Sequence, residues 1–225
     1  MEKLVYLVYE SGEASGDALR ERLLTQVAPG LAEADAMDVV INVQDGPVAD
    51  GQPIRNSDPP IRAMLSFWLE NSDDRGPCEA ALEGTGQRLA GYLVCESRPL
   101  LHERKPGARS PGMNQVTCIS RKSGMSDDEF FGYWTGEHKR VAIETQSSIG
   151  YVRNVIVRRL LPDSPPWDAI VEETFPIEAL TDPKVFYAAE DEATLERNVD
   201  RMMKSCQRFL DFAPMECTHM SEYSL

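Results

Sequence analysis

The sequence predicts an α+β protein built from two ferredoxin-like repeats, each β-α-β-β-α-β, packed sheet to sheet as a pseudo-dimeric α+β barrel. Three observations carry this. Apolar residues alternate in short runs that read as strands and recur with helical spacing between them. The order of those elements repeats in the second half of the chain. A four-stranded sheet with both helices on one face leaves the other face bare, and a second such sheet in the same chain can cover it.

The elements follow in order. "KLVYLVY" (3–9) reads as a strand, and 14–28 as a helix with Leu19, Leu23 and Val27 on one stripe. Strands are expected at 37–43 and 61–70, with a loop rich in Gly, Pro and Asp at 44–60 that reads either as a lid or as a surface excursion. A helix over 77–90 and a strand over 91–101 complete the first set. The stretch "HERKPGARSPG" (102–112) is charged and holds two prolines and two glycines, so it reads as a linker between residues 1–101 and 113–225. The second set runs as a strand at 113–121, a helix at 126–144, strands at 150–160 and 167–175, a helical region at 178–204 and a last strand within 210–220. Ser126, with Glu129 three residues on, marks a capping box. Two echoes suggest duplication: "ESGEASGDAL" against "KSGMSDDEFF", and "GQRLAGY" against "CQRFLDF".

Composition narrows the function. The chain has 225 residues, 42% of them hydrophobic, and a formal net charge of −14. Such a surface repels phosphate backbones and anionic membranes, so nucleic acid and membrane are not expected partners. No run approaches the ~20 apolar residues of a membrane span, and no signal peptide is expected. Five cysteines without a CxxC pair fit free thiols in a reducing cytoplasm, with Cys95 and Cys118 buried. Metal-ligand spacing and glycine-rich phosphate loops are missing, so neither a metal nor a nucleotide cofactor is expected.

One histidine stands out. Phe130, Trp134 and His138 fall at i, i+4 and i+8 on one helix stripe. The plain reading is a buried imidazole with one backbone partner.

The second half resembles the EthD family of the dimeric α+β barrel superfamily. Phe130, Trp134 and His138 match its F-x-x-x-W-x-x-x-H pattern. Tyr151, Asn154 and Ile156 match Tyr-x-x-Asn-x-Val, and Asp168, Glu172 and Phe175 match Asp-Gly-x-x-Glu-x-x-Phe, with Ala169 in place of the glycine. The first half matches in plan only and looks like a degenerate copy. A cytoplasmic protein without a cofactor is the default from the missing signal peptide and cofactor motifs. The resemblance implies an enzyme working on a small aromatic, polyketide-like or carbonyl compound in a catabolic or biosynthetic pathway. His138 would be its acid or base, as a lyase, isomerase or cyclase, or in a monooxygenase variant. Phe130, Trp134, Tyr133, Tyr151, Asn154 and Glu172 would contact the substrate in a cavity between the sheets. Tyr151 and Asn154 lie on opposite faces of their strand, so at most one faces that cavity directly. A non-catalytic module that binds a hydrophobic small molecule, or assembles with its own copies, is the alternative. Some barrel relatives bind heme through a histidine, so heme stays open. A duplicated chain already holds the barrel pair; a homodimer is allowed but not required.

Overall fold

A computed structural model describes residues 1–11, 15–86 and 88–225. Ala14 at the expected helix start, part of the first echo, and Gln87 lie outside the described residues. The first half is β1 (Glu2–Tyr9), α1 (Gly16–Arg22, running on through Leu23–Val27 and Ala28–Glu33), β2 (Met37–Val43), β3 (Ile61–Leu69), α2 (Gly76–Leu82) and β4 (Arg88–Leu100). The second half is β5 (Met113–Arg121), α3 (Asp127–Tyr133, running on through Trp134–His138 and Lys139–Thr145), β6 (Gly150–Arg159), β7 (Ala169–Phe175), α4 (Glu192–Phe209) and β8 (Leu210–Ser224). Each half therefore shows the order β-α-β-β-α-β.

The strands run β2-β3-β1-β4-β6-β7-β5-β8 and close through a β8–β2 pairing, so eight antiparallel strands form a barrel. Two seams join the halves: β4 on β6 and β2 on β8. Closure removes the free sheet edges. The bare faces become the barrel interior, packed with Val5, Leu7, Met64, Tyr92, Val116 and Ile170. Helices cover the outside, α1 and α2 over the first half, α3 and α4 over the second.

Three helices differ from the sequence reading, the first running on to Glu33, beyond 28. The second helix stops at Leu82 rather than near residue 90, and a turn with Gly84 at φ +73° leads into β4. That glycine accepts a left-handed backbone that ends a helix cheaply. The last helix runs to Phe209, beyond 204, and the last strand to Ser224, beyond 220.

The two long helices carry a matching irregularity. Ser15 caps α1 and Ser126 caps α3, each accepting a backbone N–H three residues on. The same number of residues past each cap, the helix widens into a π turn, Leu23–Val27 in α1 and Trp134–His138 in α3. Widened turns of this kind push side chains out of helical register and often mark functional positions. Val27 stands where His138 stands, buried in the first half's core.

The barrel interior is not wholly apolar. Near one end the Glu172 carboxylate, 2% exposed, accepts from Asn154 Nδ2 at 2.9 Å, Asn42 Nδ2 at 3.3 Å and Asn114 Nδ2 at 3.4 Å. Lys3 Nζ lies 3.7 Å from it and donates to Glu96 at 2.5 Å and to Asn154 Oδ1 at 2.9 Å. These residues come from both halves of the chain. Residues 102–112 join the same end: His102 Nε2 lies 2.8 Å from Glu222 Oε1, Arg104 Nε donates to Glu222 Oε2 at 3.0 Å, and Ser110 Oγ donates at 2.7 Å. Burial alone would raise the Glu222 carboxyl; the His102 and Ser110 hydrogen bonds and the Arg104 charge outweigh it and hold it down at about 2. The segment that reads as a linker is thus anchored to the barrel.

Removing one member of a buried charged network leaves its partners desolvated and unpaired. Glu172→Ala is expected to lose about 3–5 kcal/mol in urea denaturation, and Glu172→Gln distinctly less. A loss under about 1 kcal/mol for the alanine variant would show that the network does not hold the halves together.

Candidate active site

The cavity that bears His138 lies between the second half's sheet and its helices, not between the sheets. The apolar cluster and the Glu172 network fill the barrel interior instead. The cavity measures about 340 Å³, within the ~300–1,000 Å³ usual for small-molecule sites. Its floor comes from β5, β7 and β8 through Thr117, Val171 and Cys217, and its roof from α3 and α4 through Trp134, His138, Met202 and Phe209. Ile54, from the long loop of the first half, closes part of the wall. Its backbone exchanges two 2.9 Å hydrogen bonds with Cys217, and Asn56 N–H donates to Glu216 nearby.

His138 stands in the π turn of α3, 9% exposed. Its Nδ1 lies 2.9 Å from Ser205 Oγ on α4, and the same hydroxyl lies 3.0 Å from Tyr133 OH. Its ring centroid sits 4.6 Å from that of Phe209. A side chain of α4, not a backbone group, therefore orients the ring. Nδ1 is engaged by Ser205, and Nε2 has no hydrogen-bond partner among the described residues. Burial lowers the imidazole to about 4, so it is neutral at neutral pH.

Glu173 faces the same cavity from β7. Burial pushes its carboxyl up to about 7. Trp134 Nε1 donates to Tyr151 OH at 3.0 Å, which leaves the phenol's own proton free to donate. Desolvation raises that phenol well above its ordinary range. Cys206 and Cys217 also face the cavity, and burial raises both thiols, to about 12 and about 11, so they are not thiolates. Cys118 is buried; Cys95, expected inside, is exposed.

The residues singled out in the sequence divide. His138, Trp134 and Tyr151 line the cavity. Phe130 is buried beneath it against Phe209, and Tyr133 reaches it through Ser205. Asn154 and Glu172 point into the barrel, on the opposite face of their strands. Asp168 holds Arg121 through both its backbone N–H and its guanidinium. Glu173, Ser205 and Gln146 belong to the site's surroundings and were not singled out. For Glu173 a signal existed: it alternates with Val171 and Ala169 on the face that meets Trp134.

Residues 122–213 match the model of the EthD domain. The second half carries an EthD domain. Comparison with curated proteins returns no match. Among solved structures, an anthrone oxidase-like protein superposes with a TM-score of 0.53 at 9% identity, covering 99% of this chain and 93% of that one. A protein provisionally named a chlorite dismutase gives 0.50 at 12% identity, covering 98% and 95%. A heme-binding protein from Thermus thermophilus gives 0.47 at 10% identity, covering 97% and 90%. At such identities the likeness shows the fold, the dimeric α+β barrel. No helix among the described residues is long and apolar enough to cross a membrane.

The expectation of no cofactor is overturned by the comparison with the protein provisionally named a chlorite dismutase, which shares this barrel plan. The absence of a nucleotide or metal motif says nothing about a group held by one imidazole in an apolar slot. Measured against heme, the cavity fits in its donor and its walls: a neutral imidazole with Nε2 unengaged, beside Trp134, Phe209 and Met202. It offers no Lys or Arg in its lining to meet the propionates.

The two titrating groups act on stability with opposite signs. His138 has a folded pKa below its unfolded one, so its contribution is full above about 6.5 and is lost as pH falls toward about 4. Glu173 has a folded pKa above its unfolded one, so its contribution is full below about 4.5 and is lost as pH rises through about 7. Between these limits the two nearly cancel in the wild type. His138→Gln is expected to gain stability as pH falls from 7 to 4.5 and Glu173→Gln to lose it, each by roughly 3 kcal/mol in urea titrations. Parallel pH profiles for the two variants would contradict this assignment.

Proposed function

We propose that this chain is an enzyme acting on a small, flat carbonyl or phenolic compound by proton transfer through His138. One observation carries the reading: a neutral imidazole and a carboxyl of raised pKa face a single apolar cavity. Environments that push two titrating groups away from their usual ranges are how acid and base roles are set.

In this reading His138 Nε2 removes a proton from carbon next to a carbonyl, or from a phenol. The C–H or O–H electron pair moves into the substrate, and the charge gathers on its oxygen. Tyr151, whose hydroxyl proton is free, donates to that oxygen. Glu173, protonated below about 7, returns a proton elsewhere on the substrate and completes an isomerisation, cyclisation or elimination. Ser205 fixes the ring orientation. The lyase, isomerase and cyclase outcomes share this step and differ only in the substrate.

A second reading rests on the same imidazole. His138 would hold a heme iron through Nε2, and the heme would supply redox chemistry. Ser205 would then orient the ligand ring.

The test uses a panel of phenolic, lactone and polyketide-like compounds followed by mass spectrometry. For a converted compound, kcat/KM is expected to rise through about pH 4 and fall through about pH 7. His138→Gln is expected to lose about 100- to 10,000-fold, and Glu173→Gln to lose the alkaline limb. Turnover unchanged in His138→Gln would end the proton-transfer reading. A Soret band that forms with added hemin and is lost in His138→Gln would replace it with the heme one.

A further inference from the structure

The far end of the cavity holds a polar group that no step above uses. Gln146 is the first residue after α3, with an extended backbone, and its side chain is 9% exposed and lines the cavity. Its Oε1 is buried without a hydrogen-bond partner. No hydrogen bond from its amide Nε2 occurs among the described residues either. A buried amide oxygen without a donor is costly, and a ligand that donates to it removes that cost. Ser147 and Ser148 leave buried hydroxyls unpartnered in the same turn, but neither lines the cavity.

Position gives this amide its meaning. Gln146 lies eight residues beyond His138 along one helical run, which at about 1.5 Å per residue separates their backbones by roughly 12 Å. Met202 and Phe186 add apolar wall to the same cavity, and Gln115, Thr117 and Glu173 add polar groups. A ligand that meets both groups is therefore long, flat and polar at two ends. Among the described residues no Lys or Arg lines the cavity, although the Arg153 guanidinium lies 5.6 Å over the Trp134 ring; Gln146 itself carries no charge to pair with an anionic end group. A hydroxyl suits Oε1, because it donates where the amide oxygen lacks a donor.

We propose that Gln146 selects the substrate: its amide accepts from a hydroxyl at the end of the cavity remote from His138, so the site takes a neutral hydroxylated aromatic of two or three fused rings. This rests on the reading of the cavity as a small-molecule site, though not on the proton-transfer step. Gln146 is a specificity residue here, and His138 keeps the reacting end.

The test measures binding without turnover, with 2-naphthol and 2-methoxynaphthalene as probes of nearly equal shape. Fluorescence titration is expected to show about a tenfold preference for 2-naphthol in the wild type, the scale of one buried hydrogen bond. Gln146→Met is expected to bring the two affinities within about twofold while leaving 2-methoxynaphthalene binding as it was. Gln146→Glu keeps an acceptor oxygen and is expected to keep the preference, as is His138→Gln. The proposal falls if the wild type binds neither probe or shows no preference, or if Gln146→Met retains the preference. It falls equally if His138→Gln abolishes the preference, because the hydroxyl then sits on the imidazole. Should Gln146→Met fail to fold by circular dichroism, the wild type, Gln146→Glu and His138→Gln still decide it. A retained preference alongside an absence of any converted compound would sink only the proton-transfer reading.

Discussion

The bare sheet face is the constraint on which the rest depends. A β-α-β-β-α-β unit puts its two helices on one side and leaves an apolar side that water would meet. Here the chain contains the remedy twice over. The edges of the two sheets pair at β4–β6 and β2–β8, and eight strands close on themselves. Closure makes the bare faces an interior that must be filled. Aliphatic and aromatic side chains fill most of it, and a lattice of amides around Glu172, with Lys3 and Glu96, fills one end. A charged filling is costly unless every member finds a partner, and the members come from strands of both halves. Register across both seams is therefore tied to one carboxylate.

A filled interior sends the site elsewhere. Apolar side chains and the Glu172 network fill most of the barrel, and the cavity that His138 lines lies on the helix side of the second half. The halves differ there in helix length and in side chains. The first half's second helix has 7 residues, while α4 has 18 and reaches across the sheet. Both long first helices widen at the same place, but Val27 faces a packed core and His138 a cavity. The same widened turn offers a side chain to the sheet in both halves, Val27 for packing in one and an imidazole in the other.

What the sequence discloses follows from the range of each signal. Strand and helix periods are local, so the order of elements, the cap at Ser126 and the stripe through Phe130, Trp134 and His138 are readable. Which face of a strand meets a cavity is not local. The family pattern draws the eye to Glu172, but strand parity puts that residue in the barrel and its neighbour Glu173 in the cavity. Knowing that the cavity lies on the helix side settles the parity, and only the three-dimensional filling of the barrel supplies that knowledge. Ser205 is hidden for the same reason. It meets His138 across 67 positions of sequence, and nothing in its own neighbourhood announces the partner. Gln146 announces itself only by what it lacks, a hydrogen bond, and a sequence cannot show that.

The pairing of His138 with Glu173 also has a consequence for the ligand. In water an imidazole is more basic than a carboxylate; in this cavity burial lowers the first to about 4 and raises the second to about 7. The order is reversed, and from about pH 4 to 7 both groups are uncharged. An apolar cavity that charged neither of its own groups would not favour a charge on its guest, since the same desolvation acts on all three. A ligand of the proposed reaction would then enter neutral, and any charge on it would arise only after the proton moves. In the proposed reaction Nε2 would at that moment become a cation beside the new anion, and each would offset the other's desolvation. Burial thus works against the charged ground state and less against a charge-separated pair, which is the condition under which a dry pocket with one histidine can move a proton without a second full charge in its wall.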